Sequence, residues 1–358
     1  LRRKECDLAL AGGVCVINSG RFIGSMSKAG VISKTGRCHA FDDRADGFVC
    51  GEGAGAVVLK PLDRALADGD PILGVILGEG INQDGRTNGI TAPSAPSQAS
   101  LIQRVHQQAG IQCGQIGYIE AHGTGTPLGD PIELEALARV FEHRLDPTAS
   151  PIPIGSVKTN IGHTLTAAGI AGLIKVLLMM RAQKLPPMAG FETPNPRLQL
   201  DRTPFRILKS GANWQPDPEG RRIASVSSFG FSGTNAHLVI ASPPERRPVE
   251  SSPGALPFFF SATQPANLKL RAGDVLAFWQ KNPHHTLAEI AYSLACGCPH
   301  HLSRQAFMAC SRDEALDQLA RLAAGEAPEC IPDSPAATAW LAGKKQDLSQ
   351  VFEEPRPQ

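Results

Sequence analysis

Aromatic residues are scarce in this chain, 5% of 358 residues, which argues against an aromatic-packed β-sandwich. Net charge is almost absent: 35 Lys+Arg against 34 Asp+Glu leave +1, too little to hold nucleic acid or an anionic membrane surface. No apolar run reaches the ~20 residues of a bilayer span. The longest, Leu165 to Met180, carries a single charge, Lys175. No phosphate-binding G-x-x-x-x-G-K-[ST] occurs. The nine cysteines are odd in number and irregularly spaced, which fits a reducing, cytoplasmic setting better than a disulfide framework. Cys296, Cys298, His300 and His301 form C-x-C-P-H-H, which is not a zinc spacing, so no metal is expected.

What the chain has in quantity is glycine, 36 residues, and apolar side chains, 42%. These suit a tightly turned α/β core, and at roughly 150 residues per domain the length suggests two domains. Basic Leu1-Arg2-Arg3-Lys4 precedes the apolar run Leu8 to Ile17, but Glu5 and Asp7 separate the two. That order reads as the start of a buried strand rather than a signal peptide, and with no initiator Met the chain reads as part of something longer. Glycines 51, 53 and 55 precede a Val-Val-Leu strand, the reverse of a dinucleotide fingerprint.

Beyond a polar hinge at 63–70, a short apolar strand ends three times in a glycine-bearing polar loop. Strand 116–121 runs into His122-Gly123-Thr124-Gly125-Thr126, and strand 152–157 into Lys158-Thr159-Asn160-Ile161-Gly162-His163. Strand 223–228 runs into Phe229-Gly230-Phe231-Ser232-Gly233-Thr234-Asn235 and returns over 236–241. Loops at the carboxyl ends of neighbouring strands share one crevice in layered α/β folds. Asp130-Pro131-Ile132-Glu133 has the signature of a capped helix start. The apolar stretch after His163 predicts a central helix buried on all sides. Residues 243–255 read as a linker, 256–325 as a small α/β unit with strands near 256–260 and 304–310, and 326–358 as a weakly ordered tail.

His122 and His163 each follow a strand among glycines, which let a ligand approach the backbone. The helix after His163 is expected to lower its imidazole pKa and keep it neutral, ready to donate to developing negative charge. Lys158 adds a nearby positive charge, Thr124 and Thr126 offer neutral hydroxyls, and 230–233 offers backbone N–H groups suited to an oxyanion hole. The set can stabilise an enolate or a tetrahedral oxyanion, yet it contains no nucleophile.

These segments, running from His122 to Asp130, Lys158 to Thr164 and Ser228 to His237, resemble the β-ketoacyl synthase domain of modular polyketide synthases. Phe41-Asp42, Ala45-Asp46-Gly47 and Gly51-Glu52-Gly53-Ala54-Gly55 resemble a further segment of that domain. The resemblance covers residues 1 to about 242, and 256–325 resembles the linker domain that follows. It implies a thiolase-like, five-layered αβαβα fold, with 1–70 a remnant of the amino-terminal half and 71–242 the carboxy-terminal half. It also implies a decarboxylative Claisen condensation between an acyl thioester and a malonyl-type unit on the phosphopantetheine arm of an acyl carrier protein. By resemblance His122 and His163 are the catalytic histidines, with Lys158 and Glu133 organising them. Thr124 and Thr126 bind the pantetheine arm, and Phe229 and Phe231 form the oxyanion hole and gate. A homodimer within a larger synthase is implied.

Two departures stand out: Leu165 replaces a common glutamate, and Cys50 a common arginine. The family's nucleophilic cysteine, on a D-T-A-C-S-type turn, has no counterpart here, so the chain by itself is expected to be inactive. Two other readings remain at this point, a non-elongating acyl-transfer synthase and a non-catalytic scaffold or docking module.

Overall fold

The structure is a computed structural model and describes residues 1–87, 89, 92–142, 150–244, 254–329 and 332–352. The chain divides into two compact units, Leu1–Ala65 with Ile72–Glu245 and Leu66–Pro71 with Arg246–Gln358. Apart from Leu66–Pro71, residues 1–70 and 71–242, expected to be two halves of one domain, fall in a single unit. Most of the expected linker, 245–253, lies outside the described residues.

In the first unit the strands are β1 (Ala9–Cys15), β2 (Gly53–Leu59), β3 (Val75–Gln83), β4 (Ile116–Glu120), β5 (Ile152–Gly155), β6 (Lys184–Leu185), β7 (Phe205–Ile207), β8 (Ala212–Asn213), β9 (Ile223–Phe229) and β10 (Thr234–Ala241). The helices are α1 (Gly20–Lys28), α2 (Leu62–Ala67, whose last two residues belong to the second unit), α3 (Ala95–Ala109), α4 (Gly129–Val140), α5 (Lys158–Ile161) and α6 (Ala168–Ala182). The hinge expected at 63–70 is therefore largely helix α2. A six-stranded sheet has the order β3–β10–β9–β4–β5–β7, in which β9, β4, β5 and β7 are mutually parallel. β10 pairs antiparallel with β9 and β3.

Strand alternation sends side chains to two cores. Ile116, Ile119, Ile223 and Val239 pack with Leu101, Ile102 and Val105 of α3 and Leu134 and Leu137 of α4. Tyr118, Ala224, Val226 and Ile240 pack with Leu173, Val176 and Met179 of α6. On its other side α6 meets the antiparallel pair β1–β2, giving four successive layers. The segment Leu165–Ala182 is long and apolar enough by composition to cross a membrane, and it lies between β9 and the β1–β2 pair with 39% of it buried. It is not buried all round as expected: a 3-10 turn precedes α6, and Leu178 is exposed. On and beside the β1–β2 pair, Leu8, Leu10, Val14, Val16 and Val58 are exposed as well.

In the second unit, β11 (Leu256–Ala262) pairs antiparallel with β12 (Ser303–Ala309). Helices α7 (Pro265–Lys281), α8 (Leu287–Cys296), α9 (Arg312–Ala324) and α10 (Pro335–Leu341) complete it. The unbroken apolar start of β11 is explained by burial of both its faces: Phe258 and Phe260 pack with Phe307 and Trp279, and Phe259 with Trp340. The stretch from residue 326, expected to be weakly ordered, instead contains α10. Ser334 caps that helix, its hydroxyl accepting from the Ala337 N–H, and Trp340 is fully buried. One large aromatic in a polar-looking stretch suffices to anchor it.

Candidate active site

The three glycine loops follow β4, β5 and β9, which are neighbours and parallel, so all three open at one edge of the sheet. There His122 and His163 come together with ring centroids 5.4 Å apart and planes at 81°. Both line a cavity of about 360 Å³, together with Thr124, Thr126, Phe229 and Phe231.

Each imidazole is oriented by a backbone N–H. Phe229 N–H donates to His122 Nδ1 at 3.3 Å, and Leu165 N–H donates to His163 Nδ1 at 3.1 Å. A neutral imidazole that accepts at Nδ1 carries its proton on Nε2, so both rings present an Nε2–H donor. Burial, reinforced by Lys158 and then His163, holds His122 well below the ordinary imidazole range. Burial and Lys158 lower His163 to about 3. Dehydration and a neighbouring ammonium keep these rings neutral.

Gly162, at φ +75°, has no room for a side chain beside Val49 O. It allows His163 N–H to bond Val49 O at 2.7 Å while Gly51 N–H bonds His163 O at 2.9 Å. Phe48 meets the His163 ring edge-on, with centroids 5.0 Å apart. The segment containing Gly51 is thus a clamp for His163, a role its sequence did not disclose.

Lys158 lies behind His122, its Nζ donating to His122 O at 2.6 Å. The start of α4 differs from the expected capping box. Thr126 Oγ1, two residues before the N-cap Leu128, accepts from Gly129 N–H at 3.1 Å, while Asp130 turns away and accepts from Phe41 N–H at 2.7 Å and Gly125 N–H at 3.1 Å. Glu133 accepts from His122 N–H at 2.7 Å and Gly123 N–H at 2.8 Å. Both carboxylates staple the 122–126 loop, whose N–H groups are better placed than those of their own helix. Burial pushes Asp130 up to about 6 and Glu133 up to about 7.

The expected N–H cradle at 230–233 is half committed to its own turn: Gly230 N–H bonds Thr234 O and Gly233 N–H bonds Gly230 O. The Phe229 N–H, grouped with the oxyanion hole from sequence, is engaged by His122. Phe231 is half exposed over the cavity. Thr124 and Thr126 face each other, hydroxyl to hydroxyl, at 3.1 Å.

Profiles of known families match the chain in order: "Beta-ketoacyl synthase, N-terminal domain" over residues 1–65, "Beta-ketoacyl synthase, C-terminal domain" over 73–192 and "Ketoacyl-synthetase C-terminal extension" over 194–305. Among solved structures, the ketosynthase from module 6 of the bacillaene synthase of Bacillus subtilis is 39% identical with a TM-score of 0.83, matched over 100% of this chain and 68% of its own. The chain belongs to the β-ketoacyl synthase family. Its fold is accordingly thiolase-like, and its curated relatives are modular polyketide synthases. Polyketide synthase GfsA of Streptomyces halstedii is 44% identical over 341 residues, and PksL of Bacillus subtilis 46% over 323. This ketosynthase chain is covered to 91% and 89% in those two matches and spans only 4% and 7% of their lengths.

Of the ketosynthase's cysteines, none of those described lines the cavity. Cys113 precedes β4 whereas His122 follows it, so the strand, at about 3.3 Å per residue, keeps them at opposite ends. The Cys113 thiol meets Val140 O at 3.4 Å. Cys50 forms a backbone bridge beside His163, and burial pushes its thiol up. Leu165 takes φ +45° and supplies the N–H that orients His163.

Proposed function

We propose that this chain carries the decarboxylating half of a polyketide-type condensing site. The observation that supports it is the pair of half-buried neutral imidazoles, 5.4 Å apart, each turned so that Nε2–H is its donor. A malonyl-type thioester on the phosphopantetheine arm of an acyl carrier protein places its carbonyl oxygen between the two donors. The bond to its carboxylate breaks, carbon dioxide leaves, and the electron pair becomes an enolate whose charge both Nε2–H groups stabilise. The enolate carbon attacks an acyl thioester. A carbon–carbon bond forms, the carbon–sulfur bond breaks, and a thiolate departs.

Lys158 and Glu133 hold the His122 loop, Thr124 and Thr126 take hydrogen bonds from the pantetheine arm, and the Phe231 N–H receives the acyl oxyanion while its ring gates entry. The acyl-bearing cysteine is supplied from outside residues 1–358, so these residues alone do not elongate a chain. The partners are the acyl carrier protein, other synthase domains and a second copy in a cytoplasmic homodimer. The test is carbon dioxide release from a malonyl-loaded carrier by the intact protein. His122→Ala or His163→Ala should lower it by about 100- to 1,000-fold. Release at the parent rate in either variant rejects the reading.

A further inference from the structure

Lys175, the one charge in the interior of the apolar helix α6, has a partner that the site described above does not use. Its Nζ donates to Glu120 Oε2 at 2.7 Å and to Tyr118 Oη at 2.9 Å, and Tyr118 O–H donates to the same carboxylate oxygen at 2.8 Å. The other oxygen, Glu120 Oε1, accepts from Val157 N–H at 2.6 Å. Glu120 is 1% exposed and Tyr118 2%, so these charge-assisted bonds operate away from water.

Two glycines make room for this cluster. A Cβ on Gly155 would collide with Tyr118 Oη, and one on Gly172 would come within 3.3 Å of Glu120 Cγ. The carboxylate therefore ties together three elements. β4 leads within two residues to His122, the turn at Val157 leads to Lys158, and α6 follows His163 after the single 3-10 turn Leu165–Ala167.

We propose that Glu120, braced by Lys175 and Tyr118, is a positioning residue that keeps His122, Lys158 and His163 in register for decarboxylation. The inference rests on the functional reading above. Rotation of any one element displaces a donor, and a misplacement of about 1 Å costs on the order of 100-fold in rate. Glu120 is also foremost among the carboxylates that favour a protonated Lys158 against the effect of its burial. The other groups facing Lys158 are Glu133 and Asp130 from α4, Cys38, and the rings of His122 and His163.

The test uses Glu120→Gln in the intact protein, with decarboxylation of a malonyl-loaded carrier measured from pH 6 to pH 10. The expected result is a kcat lower by about tenfold or more with KM unchanged, and an alkaline limb moved to lower pH because Lys158 has lost its counter-charge. A merely structural glutamate lowers the yield of folded protein but leaves KM and the limb in place. A parent-like kcat, or a lower kcat with an unmoved limb, overturns the proposal. If Glu120→Gln does not fold, Tyr118→Phe removes one brace at constant shape and should lower kcat about threefold to tenfold at unchanged KM; parent-like kcat there overturns it equally. His163→Ala run in parallel separates the two claims. If it retains decarboxylation the functional reading fails, and if it loses activity while both braces prove dispensable only this inference fails.

Discussion

Phe229 N–H donates to His122 Nδ1 at 3.3 Å, and that contact settles which ring nitrogen is left to act on a ligand. The same strand end that lines the cavity thus also sets the tautomer of the histidine across from it.

A substitution pair exploits this. His122→Gln can place an amide N–H near the former Nε2, whereas His122→Asn reaches only as far as Nδ1. The Gln variant should retain at least about tenfold more decarboxylation than the Asn variant, since a lost oxyanion donor is worth roughly 2.7–4 kcal/mol. Single-turnover release of carbon dioxide reads the difference, and equal rates contradict the assignment.

Acid should destabilise the first unit. His106, His122, His163 and His237 all have folded pKa values pushed below the usual 6.5 by burial, with His106 at about 4 and His163 at about 3. Their neutral forms contribute stability that is fully present above pH 6.5 and is lost as pH falls toward the folded values. Each group costs up to about 1.4 kcal/mol per pH unit in that window. Asp130 and Glu133, raised to about 6 and about 7, act in the opposite sense, favouring the fold at low pH and losing that contribution as pH rises. Four imidazoles outweigh two carboxylates between pH 6.5 and 4.5, so denaturant midpoints should fall across that range. A double His106→Gln, His237→Gln variant should flatten the slope; a slope as steep as the parent's contradicts this.

How much of this was legible beforehand follows physical lines. The three strand–loop units and the meeting of His122 with His163 were readable, because glycine loops and strand periodicity are local signals. Helix α3 passed unnoticed, although Ser94 caps it and Leu101, Ile102 and Val105 mark its buried face. Asp130 and Glu133 looked like helix caps, because sequence shows the helix they start but not the Phe41, His122, Gly123 and Gly125 N–H groups that compete for them. Glu120 and Tyr118 were hidden inside an ordinary strand, and only Lys175 on its apolar helix hinted that a buried carboxylate waited nearby.

Gly162 carries the backbone turn before His163. Gly162→Ala forces a side chain into φ +75° and to within 2.9 Å of Val49 O, which should cost about 1–3 kcal/mol. Because the strain acts on His163, decarboxylation should fall by more than about tenfold even in the folded fraction. Thermal melts with activity per folded molecule check both effects, and full activity at a lowered Tm contradicts the second.

Two phenylalanines on one loop should behave differently. Phe229 is buried and Phe231 is half exposed. Phe229→Ala should cost about 3–5 kcal/mol. Phe231→Ala should change stability by less than about 0.5 kcal/mol while loosening control of which acyl thioesters enter. Denaturant melts and acyl-thioester competition report the two outcomes, and equal destabilisation contradicts the gate assignment.

The most direct measurement is the nitrogen-15 spectrum of the two imidazoles in the intact protein, assigned by their loss in His122→Gln and His163→Gln. Both rings are predicted to be neutral and protonated on Nε2 from pH 8 down to pH 5. A ring protonated on Nδ1, or one that becomes an imidazolium near pH 6.5, contradicts the account.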